Sequence, residues 1–158
     1  KRQGLKVREA AHPKFYWFDP GIARAAAGLI REPADRLWQG TALETLVFHE
    51  LRVYNETSRK KRPVAYYRTA SGVEIDFIIE TSKQSANAPA HLVAIEVKRA
   101  DKWNRSWESG LRSLATQKGV KVDRLIAIYL GEHRYHFEGL DVLPVSEFLQ
   151  SLYQEKIF

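Results

Sequence analysis

The sequence predicts an α/β domain: a mixed central sheet flanked by helices, in the order helix-strand-strand-strand-helix-strand over residues 41–130. Three observations carry this. Apolar residues recur at helical spacing before residue 55. Three short β-rich runs follow, with turn residues between the first two. A second helical stretch then precedes a strongly apolar run, the pattern of a crossover into a parallel strand. The 158 residues suit one domain. Its parts read as an entry segment with a small helix (1–40), the core (41–130), and a C-terminal strand and helix (131–158).

Residues 1–14 are polar, basic and irregular. Phe15-Tyr16-Trp17-Phe18 reads as a short buried strand. Asp19-Pro20 has the form of an N-cap and a first-turn proline, opening a helix over 21–27 that Gly28 stops. Residues 29–39 read as a loop or a ragged second turn. Thr41-Ala-Leu-Glu44 has capping-box form, and the stripe Leu43, Leu46, Val47, Leu51, Tyr54 predicts a helix over 41–54. Arg59–Arg62 reads as a solvated basic loop closed by Pro63. Strands are expected at 64–69 and 73–80, joined by a Ser71-Gly72 turn. The polar stretch 81–90 is a loop, and 92–98 a third strand, so the first three strands form an antiparallel meander. A helix over 105–118, with Trp107, Leu111 and Leu114 on one face, ends at Gly119. It leads to a buried strand at 124–130, parallel to the third. A short edge strand is expected at 134–137. A final helix starts after Leu143-Pro-Val with Ser146 as N-cap.

Composition excludes several classes. There is no cysteine, which removes disulfide frameworks, Cys zinc sites and thiol catalysis. With 44% hydrophobic and 28% charged residues the chain is not a disordered tail. No apolar run approaches a membrane span, and no signal-peptide pattern is present. A chain that opens at Lys1 and contains no Met reads as a piece of a longer protein. Lys and Arg number 25 against 19 Asp and Glu, a net +6 that is compatible with an anionic partner.

The chemistry concentrates in Gly72-Val-Glu74-Ile-Asp76-Phe and Ala94-Ile-Glu96-Val-Lys98. Strict alternation would place Glu74, Asp76 and Ile78 on one face of their strand, opposite Val73, Ile75 and Phe77, and would put Glu96 and Lys98 together. If the strands are neighbours, Asp76, Glu96 and Lys98 converge. Two carboxylates supply hard oxygen ligands for Mg²⁺ or Mn²⁺, and a lysine beside the ion can orient or deprotonate water. The competing reading is a cross-strand Glu–Lys pair on a solvated face.

These motifs resemble the PD-(D/E)XK nuclease superfamily, which implies a restriction-endonuclease-like, Holliday-junction-resolvase-like core. In that resemblance Asp76 is the first acid, and Glu96 and Lys98 form the (D/E)-x-K. Glu44, in Gly40-x-x-x-Glu44, stands where resolvase-like members carry a helix acid. It implies catalytic roles for Asp76, Glu96, Lys98 and Glu44, with Asp76, Glu96 and Glu44 holding Mg²⁺ or Mn²⁺. Ile75 stands in place of the family's proline, and 20 residues separate Asp76 from Glu96, a long gap that the 81–90 loop explains. A broader resemblance adds Lys14-Phe-Tyr-Trp-Phe-Asp-Pro-Gly-Ile, Gly40-x-x-Leu-Glu44-x-x-Val-x-x-Glu50-Leu, and Tyr67-Arg-x-x-x-Gly-Val-Glu-Ile-Asp76-Phe. It is to the C-terminal domain of prokaryotic AAA-type ATPases. It implies a cytoplasmic protein, an upstream ATPase module and winged-helix segment that this chain lacks, and DNA as partner. An oligomer is compatible with it. The function so implied is Mg²⁺-dependent DNA cleavage; the alternative is an inactive nuclease-fold module that binds nucleic acid or protein.

Other candidates carry two readings each. Glu44 serves either a capping box or a metal. Glu50 falls within the apolar stripe, where an acid must be paired, protonated or metal-bound, with Arg68 or Lys98 as the expected partner. One of Glu44 and Glu50, not both, is expected at the acidic cluster. Arg68 suits a phosphate or a salt bridge. Arg99, Lys102 and Arg105, beside Trp103 and Trp107, form a basic-aromatic patch suited to nucleic acid or simply to a solvated loop. His133-x-x-His136 is a weak metal signal, His12, His49 and His91 show no metal spacing, and the glycines form no phosphate loop.

Overall fold

The computed structural model describes residues 14–69, 72–86 and 88–158. Residues 1–13, expected to be irregular and including His12, and Ser71 of the expected turn lie outside the described residues.

Helix α1 spans Pro20–Ala26, and the Asp19 carboxylate accepts the Ile22 N–H as its N-cap. Gly28 follows at φ 73°, the left-handed exit that glycine adopts without strain. Helix α2 spans Arg36–Thr57, longer than the 41–54 expected. Asp35 is its cap, accepting from Trp38 N at 2.7 Å. Thr41 is therefore not a capping residue. It sits within the helix and donates to Leu37 O, so the capping-box form of Thr41–Glu44 is coincidental.

Strands β1 (Val64–Arg68), β2 (Glu74–Ser82) and β3 (Ala90–Lys98) form the antiparallel meander. A 3₁₀ turn at Arg105–Glu108 and helix α3 (Ser109–Ala115) divide what reads as one helix in the sequence. Strand β4 (Val120–Tyr129) pairs parallel to β3. Strand β5 is Tyr135–Phe137 and β6 is Leu140–Pro144. Helix α4 (Val145–Tyr153) starts directly after β6. The six-stranded order is β1-β2-β3-β4-β6-β5, with β6 parallel to β4 and β5 antiparallel at the edge.

Two expectations are corrected near the C-terminus. Leu140–Pro144 is a strand rather than a lead-in, because Leu140, Val142 and Leu143 are buried along β4. The α4 cap position is Pro144, so Ser146 lies within the helix.

The sheet separates two apolar layers. Leu43, Val47, Leu51 and Tyr54 of α2 pack with Phe77, Ile79, Val93, Ile95 and Val97, and with Phe148 and Leu152 of α4. Leu111 and Leu114 of α3 pack with Ile75, Ala94, Ala127 and Tyr129 on the other side. Burying such side chains stabilises by about 1.5–3 kcal/mol each. Among the described residues no helix is long and apolar enough to cross a membrane.

The aromatic run is not a strand. Phe15 and Phe18 are 71% and 87% exposed. Only Tyr16 turns inward, stacked on Phe48 at 4.2 Å. His49 holds the segment on α2 through the Trp17 carbonyl at 2.6 Å. The basic loop is also fastened: the Asn55 side chain bonds both the N–H and the carbonyl of Arg62.

Candidate functional site

Strand β2 does not alternate strictly. Between Ile75 and Ile78 it carries one residue more than β1, since Tyr67 pairs with Ile75 and Ala65 with Ile78. This bulge puts Ile75 in the α3 layer and Phe77 in the α2 layer. It also frees Asp76 from a simple face assignment. The Asp76 carboxylate caps the neighbouring strand, accepting Val97 N–H at 2.9 Å. The acid therefore stands at the end of the β2–β3 ladder, whose last paired residues are Phe77 and Ile95.

The other oxygen of Asp76 accepts from Lys14 Nζ at 2.8 Å. The same ammonium lies 2.6 Å from Glu44 Oε1 on α2 and 3.0 Å from Glu74 Oε1. Tyr16 donates its hydroxyl to Glu44 at 2.8 Å. Three carboxylates from a helix and a strand thus gather on one cation supplied by the entry segment. Burial alone would lower the Lys14 pKa. The charge and hydrogen bond of Asp76, then those of Glu44, outweigh it and hold the group above the ordinary lysine range. Burial and the Glu44 carboxylate together raise the Tyr16 hydroxyl, so it stays a donor.

Glu96 is buried on β3 and ion-paired with Lys98, two residues along the strand. Burial first, then the Asp76 charge, push its carboxyl up to about 7 against the opposing effect of Lys98. Asp76 and Glu96 are therefore electrostatic neighbours.

Glu44, and not Glu50, reaches the acidic cluster. Glu50 accepts the Tyr153 hydroxyl at 2.7 Å on the opposite stretch of α2, so neither Arg68 nor Lys98 is its partner. Arg68 is exposed at the end of β1, in register with Glu74. Arg99 follows Lys98, and its Nε is buried without a hydrogen-bond partner among the described residues. Arg105 is engaged by Glu108 and Glu138 and lies over the Phe137 ring, so it belongs to a structural network. Lys102 is exposed. His136 is taken by Asp141 and His91 by Asp123, so His133-x-x-His136 does not converge as a ligand pair.

Among the described residues no three His, Asp or Glu side chains stand as a preformed metal cluster. The acids that the resemblance marks as metal ligands are held by ammonium groups, Lys14 on Glu44 and Asp76 and Lys98 on Glu96.

Lys14 and Tyr16 are the site residues that sequence reasoning missed. The only signal for them was the motif Lys14-Phe-Tyr-Trp-Phe itself, in which the run reads as a buried strand although Phe15, Trp17 and Phe18 are exposed.

The family described as a domain of unknown function, DUF4143, matches residues 39–148. The chain belongs to this family. The DUF4143 match takes in Glu44, Glu74, Asp76, Glu96 and Lys98 and leaves Lys14 and Tyr16 outside it. No curated protein and no solved structure matches the chain.

Proposed function

We propose that this DUF4143 chain is a PD-(D/E)XK-type nuclease that hydrolyses DNA with Mg²⁺ or Mn²⁺. In this reading the fold is a restriction-endonuclease-like core, working as the C-terminal part of an AAA-type ATPase in a prokaryotic cytoplasm. The observation that carries it is the gathering of Glu44 and Asp76, 32 residues apart in sequence, on one cation beside the Glu96–Lys98 pair.

The donor set fits a hard divalent ion, because carboxylate oxygens are the ligands Mg²⁺ prefers. Glu44, Asp76 and Glu96 would hold it. When bound, the ion activates water and offsets charge developing at phosphorus. Lys14 has to leave the acids, since an ammonium and a dication repel at that separation. Lys98 orients the attacking water and stabilises the negative charge that builds on the phosphoryl oxygens. Asp76, fixed through one oxygen by Val97 N–H, keeps the other, which Lys14 holds, on the side of Glu44.

A second reading has its own observation. Lys14 already occupies the cation position between Glu44 and Asp76, which suits an inactive module that binds nucleic acid or protein for the ATPase.

The deciding assay incubates the protein with supercoiled, linear, single-stranded and branched DNA under Mg²⁺, Mn²⁺ or EDTA. Cleavage that needs metal and disappears in Asp76→Asn supports the nuclease. Binding without cleavage on every substrate, with the ATPase module present, favours the module. Undiminished cleavage by Asp76→Asn overturns the site.

A further inference from the structure

At the carboxyl ends of β3 and β4 a cleft of about 700 Å³ opens. Trp103, Tyr129, Tyr135 and Phe137 line it, with Lys102 and His133. In open α/β sheets the crevice outside the strand carboxyl ends is the habitual place for a ligand.

The cleft begins next to the acidic site. Lys98 and Tyr129 are register partners across β3 and β4, so their side chains leave the sheet on the same face, about 4.8 Å apart along the hydrogen-bonding direction. Its walls are preformed. The Tyr129 hydroxyl donates to His133 O at 2.6 Å and accepts from His133 N at 3.1 Å, which pins the loop after β4. Leu130 N donates to Ala100 O at 3.0 Å and ties that loop to the one after β3. Gly131 completes the join, because a Cβ there would overlap the Tyr129 ring and the Asp101 carbonyl oxygen.

The lining has a recognisable chemistry. Tyr135 and Phe137 stack at 5.6 Å with 14° between their planes, and Tyr135 remains 37% exposed. Lys102 has no carboxylate partner among the described residues and is free to meet a phosphate. Asp101 and Glu132, also in the lining, would repel a cluster of phosphates but accept the amino and imino N–H groups of bases. Flat rings, N–H acceptors and one free ammonium together match a nucleobase with its backbone phosphate. In a duplex the base faces are hidden in the stack, so only an unpaired base can reach these rings.

We propose that this cleft binds an unpaired nucleobase of a single-stranded nucleic acid, with the backbone running past Lys102 toward Glu96 and Lys98. The proposal rests on the nuclease reading for its orientation, since it names the strand that reaches that site.

The test is anisotropy of a labelled 15-nucleotide oligo-dT and of a 15-base-pair duplex in EDTA, so that no turnover is involved. The single strand should bind at least tenfold more tightly at equal salt. Tyr135→Ala should weaken it fivefold or more, the lower end of what one base–aromatic stack contributes, and leave duplex affinity unchanged. Tyr135→Phe should retain it. Lys102→Ala, an exposed change that spares the core, should lower the salt slope by about 0.7. Equal affinity for strand and duplex overturns the proposal. So does an unchanged affinity in Tyr135→Ala that melts like wild type, or an unchanged salt slope in Lys102→Ala. Single-strand selectivity without metal-dependent cleavage would leave the cleft standing and remove only the nuclease; cleavage without selectivity does the reverse.

Discussion

Lys14 and Asp76 meet at 2.8 Å across 62 residues of chain. The ammonium enters from the segment before α1, and the carboxylate stands at the bulge of β2. Glu44 and Glu74 complete the ring around Nζ. An entry segment that fills an acid cluster with its own cation is an internal counter-ion.

Replacing that counter-ion gives the first prediction. Lys14→Ala leaves Glu44 and Asp76 part-buried without their ammonium. Removing one partner of such a pair destabilises by about 3 kcal/mol. A divalent ion held by the same acids at a hundredfold over its Kd would return about 2.7 kcal/mol. Thermal melts of Lys14→Ala should therefore show a low Tm in EDTA and a large recovery in Mg²⁺ or Mn²⁺. The wild-type gain should be smaller, because Lys14 must first be displaced. Identical Tm values for the variant with and without metal would show that these acids are not a cation site.

Glu96 sets a pH dependence. Its folded pKa lies near 7, above the ordinary 4.5 of an unfolded glutamate. Between those values the folded state binds more protons than the unfolded one, so stability falls as pH rises through the window. The size is of order 1–3 kcal/mol. Glu96→Gln cannot ionise, so its Tm should decline less from pH 5 to pH 8 than the wild type's. Divalent metal should flatten the wild-type decline as well. Parallel Tm curves for wild type and Glu96→Gln would contradict the raised pKa.

Much of the sheet was legible because β2, β3 and β4 are written in runs of Ile, Val and Leu, and because the crossover into a parallel strand has few alternatives. What failed has local causes. Thr41 and Glu44 imitate a cap while Asp35, six residues earlier, does the capping. Leu140–Pro144 is short and ends in proline, and only its parallel partner β4 makes it a strand. The bulge at Asp76 depends on the register with β1, which no periodicity within β2 reveals. Asp76, Glu96 and Lys98 stood out because one face of each strand spends its positions on charge while the other is apolar. Lys14 did not, since its partners lie 30 and 62 residues away.

Glu108 predicts the opposite pH slope. It is buried between the 3₁₀ turn and α3. There it accepts from Trp103 Nε1 at 3.1 Å and from Arg112 at 2.6 and 2.8 Å. Burial would raise its carboxyl, but the hydrogen bonds of Arg112, then Trp103 and Arg105, outweigh it and hold the group below the usual range. The stability it contributes is full above the unfolded pKa and is lost as pH falls through the folded one. Glu108→Gln should cost about 3 kcal/mol at pH 7 and should flatten the acid limb of the stability curve. Urea unfolding at pH 7 and pH 3.5 measures both. An unchanged acid limb in Glu108→Gln would mean the carboxylate does not anchor Arg112 and Trp103.

Lys98 and Glu44 should separate chemistry from metal binding. Lys98 contacts Glu96 and not the Lys14 cluster, so Lys98→Ala should leave Mn²⁺ affinity within a few-fold of wild type. If Lys98 orients the attacking water, kcat for cleavage should drop by about 10²–10⁴-fold, the usual contribution of positioned acid–base help, with little change in KM. Glu44→Gln removes an oxygen ligand and its charge. Its signature is a raised metal requirement, so that excess Mn²⁺ restores much of the rate. Single-turnover cleavage across a Mn²⁺ titration resolves the two. If excess metal rescues Lys98→Ala as fully as Glu44→Gln, Lys98 serves only to hold Glu96 in place, and the water-orienting role falls.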